Sequence, residues 1–227
     1  MVSLITDGSS TDDRGRPFRR RRATPIIVVL SVLALLGVFV WIGVLAKTEG
    51  TAAPVACNAP PADDPKDDNP APAPLGDKID GDALRDVEPA ALSAVQVRVF
   101  NANGESGQAT QVAARLNDYG FASAPDIQAG NDPVYVDQNM QCVGQLRFGP
   151  NGLAAASAAW LVAPCTELIQ DERTDNTVDL ALGTYFRSIS PNPDAEEALR
   201  SLRDTAPGSD PAALDIELLE AARTAAC

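Results

Sequence analysis

The sequence predicts an α+β domain of βαββαβ order, of the ferredoxin-like kind, with helices on one face of an antiparallel sheet. One long apolar helix precedes the domain, and two extra helices close it. Three observations carry this reading: an uncharged apolar run near the N-terminus, strand-period alternation that twice gives way to helix spacing, and four cysteines that all follow the apolar run.

The apolar run comes first. Residues 25–46 carry no charge, and residues 26–45 read IIVVLSVLALLGVFVWIGVL. About 20 apolar residues at 1.5 Å rise each match a hydrocarbon core of roughly 30 Å, so the run is expected to cross a membrane once. Arg14, Arg16, Arg19, Arg20, Arg21 and Arg22 crowd its N-terminal side, whereas Lys47 alone lies close on the other. That asymmetry predicts a cytoplasmic tail over residues 1–24 and an exterior C-terminal part. Val44-Leu45-Ala46 resembles a signal-peptide cleavage site, but the apolar region is longer than the 7–15 residues usual for a cleaved leader.

Charge divides at the same place. The first 46 residues hold six arginines against Asp7, Asp12 and Asp13, and the remainder holds 12 basic against 28 acidic side chains. An exterior part this acidic is a poor match for nucleic acid, whose binders need a basic footprint. Histidine is absent, which removes Ser-His and Cys-His nucleophiles and every histidine-containing metal site. No metal or cofactor is expected. Paired carboxylates such as Asp171-Glu172 and Glu196-Glu197 read as solvated charge rather than acid–base pairs, and the chain is not expected to be an enzyme.

Residues 47–93 are rich in Pro, Ala and Asp and read as an extended linker, with a turn or short helix around Leu84 and Val87. The α+β domain is expected over residues 94–190. Val95, Val97 and Val99 alternate with Gln96 and Arg98 as a half-buried strand. After a Gly-rich loop, Ala109, Val112, Ala113 and Leu116 mark one face of a helix that stops at Gly120. Residues 121–124 form a short second strand, 145–148 a third, 153–162 an Ala-rich helix containing Trp160, and 177–182 the last strand. The extension, residues 191–227, carries two helices. Asp194 is expected to cap the first, over 195–204, and Asp210 with Pro211 to start the second, whose stripe is Leu214, Leu218, Ala221 and Ala225.

Cys57, Cys142, Cys165 and Cys227 lie on the exterior side, where an even count predicts two disulfides. In the expected fold Cys142 precedes the third strand and Cys165 follows the helix that runs back along it. The pairing expected is therefore Cys142–Cys165, leaving Cys57–Cys227.

The loop after the first strand is the candidate ligand site. Its glycines sit before a helix N-terminus, a place that favours anions. Asn101, Asn103, Gly104, Ser106 and Gly107 are the candidate contacts, with Tyr135 from the longer connection at 131–141. The simpler reading is a tight strand-to-helix turn capped by Ser106 or Asn103. Trp160 offers a stacking surface but reads as core.

The same residues carry a family resemblance. Val97-Arg98-Val99-Phe100-Asn101-Ala102-Asn103-Gly104, then Ser106-Gly107-Gln108-Ala109, Val112-Ala113, Leu116 and Gly120-Phe121, resemble the opening of LytR C-terminal domains. Val178-Asp179-Leu180-Ala181-Leu182-Gly183 resembles their closing strand. Cys57-Asn58, Gly144-Gln145-Leu146-Arg147-Phe148-Gly149 and the run from Trp160 to Leu168 extend the resemblance to actinobacterial envelope-integrity proteins. It implies a role in keeping the cell envelope intact, with no known reaction. In larger family members this domain follows a glycopolymer phosphotransferase, which the linker replaces here. The expected role is a membrane-anchored scaffold or accessory of cell-wall assembly, acting through envelope proteins. The alternative is a binder of wall glycan or lipid-linked wall intermediates through residues 103–107.

Overall fold

The structure, a computed structural model, describes residues 24–48, 55–63, 70–205 and 214–224, with side chains of the first stretch described for residues 25–38. The chain divides into two compact units, residues 1–50 and 51–227. In the first unit, helix α1 (Thr24–Thr48) runs for 25 residues. The large apolar side chains described on it, from Ile26 to Val38, are 51–70% exposed. Among the described residues no helix is long and apolar enough to cross a membrane. The expected span, 25–46, extends past the described side chains.

The second unit is a seven-stranded sheet with helices. In chain order it comprises β1 (Asp77–Ile79), α2 (Asp82–Arg85), β2 (Gln96–Asn101), α3 (Gln108–Tyr119), β3 (Ala122–Ser123), β4 (Ala129–Asn131), β5 (Gly144–Phe148), α4 (Leu153–Trp160), β6 (Glu167–Gln170), β7 (Val178–Leu182), α5 (Pro193–Arg203) and α6 (Ile216–Arg223). The strands lie in the order β1-β6-β5-β7-β2-β3, and β4 also pairs with β2.

The expected α+β class holds, but the sheet is mixed rather than antiparallel. β2 runs parallel to β3, β4 and β7, and β5 runs parallel to β6. β5 with β7 and β1 with β6 are antiparallel. The difference comes from β6. After β5, helix α4 returns the chain to a strand beside and parallel to β5, the outcome of a strand–helix–strand crossover. β7 then enters between β5 and β2. The ferredoxin-like reading passed from α4 directly to β7 and so missed both β6 and the mixed order.

The two faces of the sheet differ in chemistry. Val97 and Val99 of β2, Leu146 and Phe148 of β5, and Val178, Leu180 and Leu182 of β7 point to the side where α3, α4, α5 and α6 pack, forming one large core. The alternate positions point the other way, as a period of two requires. There Phe100, Ala102, Val134, Tyr135, Met140, Cys142 and Ala181 make a smaller cluster, with Cys57, Ala73 and Leu75 packed on it.

The stretch read as a linker contributes to both clusters. It supplies β1 at the sheet edge, and Leu84 and Leu92 are fully buried in the main core. The C-terminal extension also differs in detail. α5 is capped by Asn192, not Asp194: the Asn192 side chain accepts from the Ala195 amide at 2.7 Å. Pro193 occupies the first turn, where its missing N–H costs nothing. α6 begins at Ile216 with Asp215 as its cap, so Leu214 precedes the helix instead of starting its stripe. Asp210, Pro211 and Ala225 lie outside the described residues.

Candidate functional site

β2 ends at Asn101, and the loop that follows is built from its side chain. Asn101 Oδ1 accepts the amides of Asn103 at 3.1 Å and Gly104 at 3.0 Å, while Nδ2 donates to the Glu105 carbonyl at 2.9 Å. Asn103 repeats the device. Its Oδ1 accepts the Glu105 amide at 2.9 Å, and its Nδ2 donates to Gln108 Oε1 and to the Gly183 carbonyl, both at 2.8 Å. Gly104 and Gly107 each take φ of 78°, a conformation that costs other residues about 1 kcal/mol or more. Gly107 is the N-cap of α3 and no side chain caps it; Ser106 stands exposed beside it.

Three loop amides that would face an anion are therefore already bonded within the loop. The bond from Asn103 to Gly183 also ties the end of β2 to the end of β7. Gly183 is required there because a Cβ would fall 2.2 Å from the Cys142 carbonyl oxygen. The loop's polar groups form an interlock between two strand ends. Replacing Asn103 by Ala is expected to cost about 1–2 kcal/mol in urea unfolding, from three lost hydrogen bonds at a half-buried site. A loss below roughly 0.3 kcal/mol would remove this structural reading.

Tyr135 is fully buried, and its hydroxyl donates to the Asn58 carbonyl. Burial pushes its phenol above the ordinary value, despite Arg147 nearby, so it acts as a neutral donor. It does not meet the loop residues at a common surface. Trp160 is partly buried; its Nε1 donates to the Pro164 carbonyl and Arg223 stacks over its ring at 5.5 Å.

The disulfides differ from the expected pairing. Cys57 bonds Cys142, with Cα atoms 4.7 Å apart. Cys142 belongs to the small cluster, on the sheet face opposite α4, whereas Cys165 follows α4. Nearness along the fold was outweighed by the direction of the side chain. Cys165 is also disulfide-bonded, and Cys227 lies outside the described residues. Around Cys57, the Cys57 amide donates to Glu167 Oε1 at 3.1 Å, and Asn58 exchanges bonds with Asn139 and Gln141 at 3.0 and 2.7 Å.

The face under this strap carries charges that the sequence reading left unassigned. Strand register places Lys78, Ile169, Arg147, Asp179 and Arg98 in one row across five strands. Asp179 accepts from Arg98 Nε at 2.6 Å and from Arg173 Nη2 at 2.7 Å. Burial works against the Arg173 charge, but Asp179 and Asp171 outweigh it and hold the guanidinium above the ordinary arginine value. Arg147 pairs with Asp132 at 2.9 Å, both side chains being at most 3% exposed. Arg147 also donates to Gln145 Oε1 at 2.9 and 3.1 Å. Each of these charges is matched, so the row reads as a polar core. Its signal was present in sequence, as single charges at the centre of apolar strands: Val97-Arg98-Val99, Leu146-Arg147-Phe148 and Val178-Asp179-Leu180. Among the described residues no group of three or more acidic or cysteine side chains could hold a metal ion.

Residues 94–186 match the family described as LytR cell envelope-related transcriptional attenuator, the LytR C-terminal domain. The chain is 44% identical over 215 residues to the cell envelope integrity protein Cei of Mycobacterium tuberculosis, covering 94% of this chain and 96% of that protein. It therefore belongs to the Cei family of proteins bearing this domain. The crystal structure of the soluble domain of a conserved hypothetical secreted protein from Mycobacterium marinum superposes with a TM-score of 0.60 at 45% identity, covering 67% of this chain and 99% of that one.

Proposed function

We propose that this protein supports cell envelope integrity as a membrane-anchored, non-enzymatic accessory of wall assembly, acting through protein contacts of its extracytoplasmic domain. The observation that carries the envelope role is the 44% identity to Cei over nearly the full length of both chains. The secreted relative from M. marinum supports an exterior domain. The anchor reading rests on α1, whose 25 residues reach about 37 Å at 1.5 Å per residue, and on the six arginines that precede it. The accessory role is supported by the loop at residues 101–107, whose Asn101 and Asn103 side chains are hydrogen-bonded to Glu105, Gln108 and Gly183. The same bonding weakens residues 103–107 as a glycan site.

The test is complementation of a strain lacking the protein, scored by permeability to a dye normally excluded. The full chain should restore the barrier. The anchor segment alone, or the domain released from its anchor, should leave the barrier leaky. Crosslinking in the complemented cells should recover a reproducible envelope protein. Rescue by the anchor alone would overturn the proposal, and so would rescue by the full chain with no protein recovered.

A further inference from the structure

A groove of about 390 Å³ lies between the α4–β6 turn and the connection from β7 to α5, within the range of small-ligand sites. Val162 and Phe186 are buried in its floor, and Tyr185, 47% exposed, stands at its rim. Arg187, Ser188 and Ser190 line it and are exposed. These three side chains make no ion pair or hydrogen bond to the described residues. None of the described residues lining the groove is acidic, although 28 acidic side chains follow residue 46. The second hollow of the domain is the contrary case, with Asp80, Asp82 and Glu220 in its wall. Among the described residues, then, the groove offers a negative ligand group a guanidinium and no facing carboxylate.

We infer that this groove binds a saccharide bearing one anionic group, the sugar ring stacking on Tyr185 and the anion held by Arg187. An exposed phenol ring beside apolar walls suits the apolar face of a pyranose, and the free hydroxyls of Ser188 and Ser190 suit its hydroxyls. A guanidinium forks onto a carboxylate or a phosphate equally well, so the shared chemistry is the anion. The interlock described above serves the site indirectly. Asn103 holds the Gly183 carbonyl, and the Tyr185 amide donates to the Cys142 carbonyl at 3.0 Å, so the rim is fixed from both sides. The inference rests on the exterior placement proposed above but not on a protein partner.

The experiment is titration of the full chain in detergent micelles, by calorimetry and ligand-observed NMR, with three probes: N-acetylmuramic acid, N-acetylglucosamine 1-phosphate and neutral N-acetylglucosamine. At least one anionic sugar should bind about tenfold or more tightly than the neutral one. Which of the two it is identifies a carboxylate or a phosphate as the native group. Arg187→Gln should weaken that sugar by about 10- to 100-fold, and Tyr185→Ala should weaken all binding by about tenfold. Both positions are exposed, so circular dichroism should show unchanged folding. Equal binding of all three probes, indifference to Arg187→Gln, or no saturable binding would overturn the site. Such a failure alongside intact complementation would leave the envelope role standing.

Discussion

Replacing Cys57 and Cys142 together by serine is expected to lower the unfolding free energy by roughly 4–5 kcal/mol. The bond closes a loop of 85 residues, and the chain-entropy relation gives that magnitude at 25 °C. Domains of this size are stable by about 5–15 kcal/mol, so the variant should sit close to the limit of folding. The loss should also be uneven. Cys57, Ala73 and Leu75 cover the small cluster, whereas the helices pack on the other face. Amide exchange should therefore accelerate over residues 55–63, 73–79 and 132–147 before it does so in α3 or α5. A loss below about 1 kcal/mol in guanidinium titrations would mean that the strap is held by its hydrogen bonds instead.

What the sequence disclosed about this arrangement follows from where apolar residues alternate. β2 and β7 were legible because Val97, Val99, Val178 and Leu180 repeat at a spacing of two above a single core. α3 was legible because its buried face, Ala109, Val112, Ala113 and Leu116, matches the helix period and ends at a glycine of positive φ. β6 and β1 escaped notice for a different reason. Glu167–Gln170 and Asp77–Ile79 are only four and three residues long, too short for a period to emerge, and their partners are distant in sequence. Missing β6 changed the topology, since the parallel or antiparallel sense of the sheet turns on where α4 delivers the chain. The disulfide required more than topology. Only the folded chain shows Cys142 in the small cluster and bonded to Cys57, while Cys165 follows α4.

The candidate site was legible in its residues but not in their use. Asn101, Asn103, Gly104 and Gly107 stood out in sequence as a Gly-rich loop between a strand and a helix, and in the structure Gly104 and Gly107 take positive φ. Composition could not show that their side chains would be spent on Glu105, Gln108 and Gly183. Tyr185 and Arg187 carry no motif at all. In the proposed site they matter through what surrounds them, an apolar floor and described neighbours that carry no carboxylate, and that is visible only once the chain is folded.

Replacing Arg147 by Met should be the other costly change, about 3–5 kcal/mol, because it strands a buried carboxylate. The Asp132 side chain is 0% exposed. Its Oδ1 accepts the amides of Val134 at 2.7 Å and Tyr135 at 2.8 Å. Arg147 Nη1 donates to the same Oδ1 at 3.2 Å and lies 2.9 Å from Oδ2, which accepts no hydrogen bond of its own. The distance is the better guide here, since Coulomb attraction between buried unit charges falls with separation and depends little on the donor angle. The charge itself, not the shape of the side chain, then sets the cost. Adding Asp132→Asn removes the stranded charge while keeping an oxygen for the Val134 and Tyr135 amides. The double variant should therefore recover at least half of the loss, as a buried pair replaced on both sides often does. A double-mutant cycle by urea unfolding measures this directly, with a coupling of at least about 1.5 kcal/mol expected for two contacting groups. Additive losses would show instead that Arg147 acts through Gln145 and the Tyr135 ring, over which its guanidinium lies at 5.8 Å.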